Sequence, residues 1–342
     1  MNKFTDTSVQ IIDIEPEHTI IRKKPKTIDK QIHRQFRIAY EKTSPPTFVA
    51  VIPNGRFWGD KNLVISEDRI LVDIFGEFGV KDNMALSKYE LPELQENEET
   101  VAVLTGFGGY YHWMFDILPR LELLERAGVK VDRYILTESL RDYQIETLDI
   151  LGIPHDMTIT SQDLYIKAKN LIYPSFPGEV CSMPYASCSF LRNTFLPQKE
   201  CGTKYERIYI TREMAGGRRV KNEKQVTHLL QSLGFKKLAL ESISIREKAA
   251  LFSEAKVVIG PHGAGFTNLV FCNPGTIAIE FFSPNYVNVC YWALSNQLDL
   301  EYYYLSSGGP QSSDFVNPHL FTEDILIDIE RLEETLALAG VR

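Results

Sequence analysis

Past residue 100 the apolar positions of this chain alternate between two periods. Short runs of Val, Ile, Leu, Tyr and Phe at 101–104, 133–136, 207–210, 236–240, 256–259, 276–281 and 300–305 have the length and β-branched content of strands. Between them, 141–151, 223–233 and 245–255 bring apolar positions back every three or four residues, as amphipathic helices do, and further helices are expected up to Ala127 and over 322–338. A strand-then-helix rhythm predicts parallel sheets with helices on both faces.

The first hundred residues follow a different pattern. Segments 48–52, 62–65 and 69–74 are β-rich and separated by turn residues, which predicts hairpins along one edge of a first domain. Residues 1–46 are polar and basic and close on Ser44, Pro45 and Pro46, as a peripheral arm would. Pro, Gly and Ser enrich 176–184, and 197–204 is polar, so a boundary is expected near residue 200. A chain of 342 residues exceeds what one core usually organises. The expectation is an α/β protein with a β-rich N-terminal arm (1–46) and two Rossmann-like domains (47–200 and 201–320) facing across a cleft. A C-terminal helix within 321–342 either finishes the second domain or crosses back onto the first.

Charge narrows the partners. A net charge of −8 and a pI near 5.5 argue against nucleic acid as ligand and leave local basic clusters to serve local anions. No apolar run reaches the roughly 18 residues needed to span a bilayer, and residues 1–13 lack the regions of a signal peptide, so a cytoplasmic protein is expected. Cysteines 181, 188, 201, 272 and 290 contain no Cys-x-x-Cys pair, which predicts reduced, mostly buried thiols.

Three stretches carry candidate chemistry. The run His262, Gly263, Ala264, Gly265, Phe266, Thr267, Asn268 joins a strand to a short helix, with Glu280 near the end of the next strand. Small residues let backbone N–H groups approach a ligand, a helix N-terminus adds partial positive charge, and an acid at a strand end suits a ribose diol. A nucleoside diphosphate meets that description. The loop after the strand at 207–210 holds Arg212, Arg218, Arg219 and Lys221 with Gly216 and Gly217, and guanidinium forks match phosphate oxygens. The loop after 101–104 leads from Gly106 through Tyr110, Tyr111, His112 and Trp113 to Asp116, Pro119 and Arg120. On a helix His112 and Asp116 share a face, and a carboxylate beside an imidazole can deprotonate a hydroxyl. The plainer readings are an Asp116 to Arg120 pair, a packed His112, a solvated basic loop and a strand-end carboxylate bonded to backbone. The rings of Tyr110, Tyr111, Trp113 and Trp292 either stack on a sugar or base or fill the core.

In these motifs the chain resembles glycosyltransferase family 61, many of whose bacterial members are described as capsular polysaccharide biosynthesis proteins. The matching residues run from Tyr110 to Leu121, from Tyr209 to Arg212 and on through Arg218 to Asn222 and Glu223, and from Gly260 to Phe271, with Glu280. Thr211 stands where the family often has Ser, and Phe266 where Leu or Ile is usual. The resemblance implies a GT-B fold and inverting transfer from a nucleotide-sugar, a UDP-sugar in the first instance, to a glycan or glycoconjugate hydroxyl. It implies no metal and no cofactor beyond the donor as co-substrate. Asp116 would be the base with His112 beside it, or the roles reversed. Arg212, Arg218, Asn222, Glu223, His262, Gly263, Ala264, Gly265, Thr267, Asn268 and Glu280 would line the donor site, with Glu280 toward the ribose. Peripheral contact with a membrane-bound acceptor fits the basic arm. No Asp-x-Asp stands between strands to bridge a metal to a diphosphate, and Asp13, Ile14, Glu15 lies in that arm.

Two other classes compete. His112-x-x-x-Asp116 looks like the His-x-x-x-Asp of coenzyme-A-dependent acyltransferases, and a non-catalytic nucleotide-sugar-binding relative would keep the donor motifs alone. A serine hydrolase is disfavoured because no Gly-x-Ser-x-Gly elbow is present.

Overall fold

The structure, a computed structural model, describes residues 9–67, 69–71, 90–137, 140–197, 205–283, 285–307 and 321–342. The expected boundary at 200, the second half (72–74) of the strand expected at 69–74, and Cys201 lie outside the described residues. The chain forms two compact units, Met1–His18 with Pro45–Glu179 and Thr19–Ser44 with Val180–Arg342. The division therefore falls about twenty residues before the one expected, and the basic arm is shared between units rather than standing apart.

The N-terminal elements are β1 (Gln10–Glu15), β2 (His18–Ile21), α1 (Arg34–Ile38) and β3 (Glu41–Ser44). In the first unit, β1 joins β4 (Thr47–Pro53), β5 (Arg56–Trp58), β6 (Leu63–Ser66), β7 (Arg69–Ile70), β8 (Gln95–Val103), β9 (Arg133–Leu136), β10 (Thr158–Thr160) and β11 (Tyr165–Pro174) in a nine-stranded sheet. β10, β9, β8 and β11 run parallel, as the strand-helix rhythm requires. The other flank of β11 pairs antiparallel with β4 at 170–174 and with β5 at 165–167. The unit is thus a mixed sheet, and only its parallel half is Rossmann-like. Its core gathers Ala50, Val101, Val103, Ile135, Ile166 and Leu171. The helices are α2 (Tyr110–His112), α3 (Pro119–Arg126) and α4 (Asp142–Ile150).

The second unit adds α5 (Tyr185–Phe195), β12 (Arg207–Ile210), α6 (Glu223–Ser232), β13 (Lys236–Leu238), α7 (Ile245–Glu254), β14 (Val257–Pro261), β15 (Ile277–Phe282), α8 (Cys290–Gln297), β16 (Glu301–Ser306) and α9 (Ile329–Leu338). Its five strands are all parallel in the order β13-β12-β14-β15-β16. This is a doubly wound sheet that reverses direction between β12 and β14, and ligands collect beyond the strand C-termini at such a reversal. Helix α5 belongs here because Arg192 donates to the Val270 carbonyl at 2.8 Å.

Leu332 and Leu336 of α9 lie in the same buried cluster as Tyr209, Ile259, Ile279 and Tyr303, so the C-terminal helix finishes the second unit. It begins at Ile329, capped by the Asp328 carboxylate, and not at 322. Residues 322–327 are instead held by the basic loop: Arg218 N–H donates to the Thr322 carbonyl and Ile325 N–H to that of Arg219.

The expectation of reduced thiols is corrected at one pair. Cys181 and Cys290 are joined in a disulfide 109 residues apart in sequence, whereas Cys188 and Cys272 are buried and free. Proximity created by the second unit's fold made that pair, which no spacing pattern reveals. No helix among the described residues is long and apolar enough to cross a membrane.

Candidate functional site

In the first unit the site grows from the end of β8. Gly109 caps the following helix at φ +103°, a conformation that side chains rarely adopt, and α2 starts at the next residue. Pro119 has no N–H to donate, and the ladder shifts just before it. Leu118 N–H reaches back five residues to the Trp113 carbonyl at 3.0 Å, making a π turn of Trp113–Ile117. Asp116 lies in that turn, and its Oδ2 sits 2.6 Å from His112 Nδ1. The imidazole keeps a quarter of its surface while the carboxylate is almost buried, with the rings of Phe107 and Tyr111 5.0 and 5.3 Å from the imidazole. His112 is thereby oriented, and the dyad has one accessible member.

Arg120 is not the partner of Asp116. Fully buried, it donates to the carbonyls of Val103 and Thr105 at 2.8 Å and to that of Pro174 through two nitrogens. It lies over the rings of Tyr173 and Phe176. Burial holds its pKa below the usual arginine value, while the Tyr173 and Asp116 nearby pull the other way. The residue ties the ends of β8 and β11 together beneath the dyad. The candidate stacking rings are mostly structural: Trp113 is buried with Nε1 donating to Thr147 at 2.8 Å, and Tyr110 packs edge-on against Tyr143.

In the second unit the loops after β12 and β14 meet at the reversal point. The Arg212 guanidinium packs on Gly263, and its Nε and Nη2 donate to the Gly217 carbonyl at 3.3 and 3.0 Å. Arg218 takes a left-handed backbone (φ 55°), lies over the Tyr286 ring and donates from Nη1 to the Phe321 carbonyl at 3.3 Å. Its Nε is buried with no hydrogen-bond partner. Among the described residues neither arginine forms an ion pair, whereas Arg219 is taken by Asp324. Burial and the neighbouring Arg218 together lower the Arg212 pKa. Glu241 and Asp324 lie near enough to oppose that shift, but among the described residues neither carboxylate bonds to either of the two guanidiniums.

His262 lies against the same pair. Its Nδ1 is 2.5 Å from Glu280 Oε1, the other Glu280 oxygen accepts from Tyr302 OH at 2.6 Å, and the ring sits among Phe282, Tyr286 and Tyr291. Burial lowers the His262 pKa. Glu280 opposes this, and Arg218 and Arg212 add to it. Gly263 and Ala264 open a 3₁₀ helix, Ala264–Phe271, whose first N–H groups precede any helical acceptor. Gly265 packs against Ile210, where a Cβ would come 3.0 Å from Cγ2.

Several expected donor residues are spent elsewhere. Glu280 has no exposed surface, so its carboxylate orients His262 and does not reach a ribose. Glu223 accepts from Tyr209 at 2.9 Å, from Thr211 at 2.5 Å and from Lys237 at 2.8 Å. Burial raises its pKa, but the bonds from Lys237, Thr211 and Tyr209 outweigh it and the net shift is downward. Asn222 pairs both ends of its amide with the Ile327 backbone. Thr267 and Asn268 are buried, Asn268 donating to the Gly265 carbonyl at 2.9 Å, so they shape the loop from within. Trp292 is buried, with its Nε1 on the Lys23 carbonyl at 2.9 Å.

Sequence reasoning missed Tyr302, Tyr286 and Tyr291. Alternation along β16 puts Tyr302 and Tyr304 on one face, and that face meets Glu280 only once β15 and β16 are in register. Among the described residues no group of three His, Cys, Asp or Glu side chains stands where it could hold a metal ion.

Residues 110–279 match the family described as Glycosyltransferase 61. The rice (Oryza sativa subsp. japonica) protein called beta-1,2-xylosyltransferase RCN11 is 34% identical over 77 residues, 22% of this chain. That match spans 14% of the rice protein's length. Among solved structures, the iron-containing dodecameric glycosyltransferase TibC of enterotoxigenic E. coli H10407 aligns over 71% of this chain and 77% of its own, at 10% identity and a TM-score of 0.33.

Proposed function

We propose that this chain, which carries a glycosyltransferase family 61 domain over residues 110–279, transfers a sugar from a nucleoside-diphosphate donor to a glycan or glycoconjugate hydroxyl with inversion. The observation that supports this most is the Arg212 and Arg218 pair beside the His262–Gly263–Ala264–Gly265 loop, two cations that no carboxylate pairs among the described residues, at the reversal of a parallel sheet.

In this reading the chemistry has two parts. In the first, the His112–Asp116 dyad takes the proton of the acceptor hydroxyl: His112, its accessible member, receives it, while Asp116, held 2.6 Å away, orients and stabilises the imidazole. The deprotonated oxygen forms a bond to the anomeric carbon as the bond to the donor phosphate breaks on the opposite face. In the second, Arg212, Arg218, His262 and the N–H groups of Ala264 and Gly265 stabilise the charge that develops on the departing nucleoside diphosphate. Fixed guanidiniums perform that task without a divalent ion, so the reaction is metal-independent in this reading. The rice relative's name makes a UDP-pentose the first donor to try, and surface or capsular glycan synthesis the setting the resemblance suggests.

Titration calorimetry with UDP, GDP, CMP and coenzyme A, each with and without EDTA, tests the reading. One nucleoside diphosphate should bind, equally well with EDTA. Coenzyme A as sole ligand would favour an acyltransferase built on His112, and silence from all four would leave no donor site to defend.

A further inference from the structure

The segment expected to be a loose basic arm is an ordered platform. Thr19–Ser44 contains eight Lys and Arg against two Asp and Glu, a net charge of +6, so the rest of a chain whose total is −8 carries −14. Part of this charge is met within the second unit, where Lys23 pairs with Asp299 at 2.8 Å and Lys26 with Glu301 at 2.5 Å. The second unit fixes the segment at many points. Buried Arg22 donates to Ser182 at 2.7 Å, Lys26 N–H to the Tyr302 carbonyl at 3.0 Å, and Arg331 pairs with Asp29. Phe36 is buried from α1 among Trp292, Tyr302 and Tyr304.

Three large apolar side chains on this anchored segment nevertheless point to solvent: Ile21 is 67% exposed, Ile38 58% and Tyr40 39%. Backbone pairing brings two of them close, since β2 pairs with β3 and Arg22 N–H, next to Ile21, donates to the Tyr40 carbonyl at 3.0 Å, and Ile38 ends α1 two residues before Tyr40. Lys24, Lys30, Arg34, Arg37 and Lys42 of the same segment are also exposed. Apolar side chains bordered by cations and held on a rigid base suit one kind of partner. The hydrocarbon boundary takes the Ile and Tyr side chains, and anionic headgroups take the charge.

We propose that Thr19–Ser44 docks the protein on the surface of an anionic lipid bilayer, inserting Ile21, Ile38 and Tyr40 among the headgroups. This does not rest on the transferase reading. It would bring the protein to an acceptor carried in the membrane plane, but binding is a property of this surface alone. The net charge of −14 on the remainder of the chain favours an orientation with this segment toward negative lipid.

The test is sedimentation of the full chain with vesicles of phosphatidylcholine alone or mixed with phosphatidylglycerol. Binding is expected to the mixed vesicles only, and to fall as salt rises. Ile21→Asp with Ile38→Asp should abolish it, and Lys24→Glu with Lys30→Glu should lower it about tenfold or more. All four positions are exposed, so the thermal unfolding of both variants should match the parent. Equal binding to phosphatidylcholine alone, no binding to either vesicle, or full binding by the Ile variant would overturn the proposal. So would a dimer in solution that the Ile variant dissociates, which would assign the patch to a second copy. A failed donor titration leaves this result untouched, and a failed sedimentation leaves the donor site untouched.

Discussion

Arg212 occupies the space that a side chain on Gly263 would need: a Cβ there would lie 2.0 Å from Nη1 and 2.7 Å from Cζ. The first glycine of the His-Gly-Ala-Gly run thus admits a cation from a different loop. Gly263→Ala should push Arg212 off its seat and weaken nucleoside diphosphate binding about tenfold or more, the scale of one charge-assisted hydrogen bond. Calorimetry that gave the parent affinity would separate Arg212 from the anion.

Asp116→Asn keeps the size of the side chain and removes the charge that orients and stabilises the His112 imidazole. Transfer is expected to fall by about 10³-fold, within the range ascribed to general bases, while nucleoside diphosphate affinity stays within about twofold. Parent-level turnover in this variant would take Asp116 out of the dyad, with His112 the next to test.

Arg120 supports the dyad structurally, so its replacement should show in stability. Arg120→Met leaves the carbonyls of Val103, Thr105 and Pro174 without their donor inside the core. Unfolding in urea should report a loss of about 3 kcal/mol or more. A variant as stable as the parent would show that water or relaxation satisfies those groups.

His262 makes stability depend on pH in a definite direction. Burial and the nearby Arg218 and Arg212 hold its pKa below the ordinary 6.5 despite Glu280, so the folded state binds this proton less readily than the unfolded chain. The resulting stabilisation is complete above about pH 6.5 and is lost as pH falls toward the lowered folded value. Comparing unfolding free energies at about pH 8 and about pH 5.5, His262→Gln should lose less on acidification than the parent does. Identical losses would mean that the imidazole charges freely in place.

Peptide mapping without reductant should recover Cys181 and Cys290 in one linked fragment from oxidised protein. Opening a bond that closes 109 residues should cost about 5 kcal/mol of stability on the chain-entropy estimate. Mapping that found both thiols free under air would remove the crosslink from the fold.

Much of this protein was determined by its sequence alone. The spacing of apolar residues announces the parallel strands of both units, because a strand buried on both faces has to be apolar along its length. The glycine runs mark where backbone and cation must come close, and the spacing from His112 to Asp116 places the two within one turn of helix. Other features exist only once distant strands are in register. Glu280 reads as a strand-end acid suited to a ribose, yet its neighbours on the folded sheet are His262 and Tyr302, and its burial makes it their anchor. Arg120 reads as a partner for Asp116 four residues before it, but the ends of β8 and β11 offer it three carbonyls in a site closed to water. Residues 19–44 read as a solvated arm because charge density is visible in sequence, and the pocket that takes Phe36 between Trp292 and Tyr304 is not. Local pattern fixes which elements form. Which polar groups are spent inside the protein and which stay available to a ligand depends on contacts between residues as much as 302 positions apart, such as Arg331 with Asp29, and only the tertiary structure decides those.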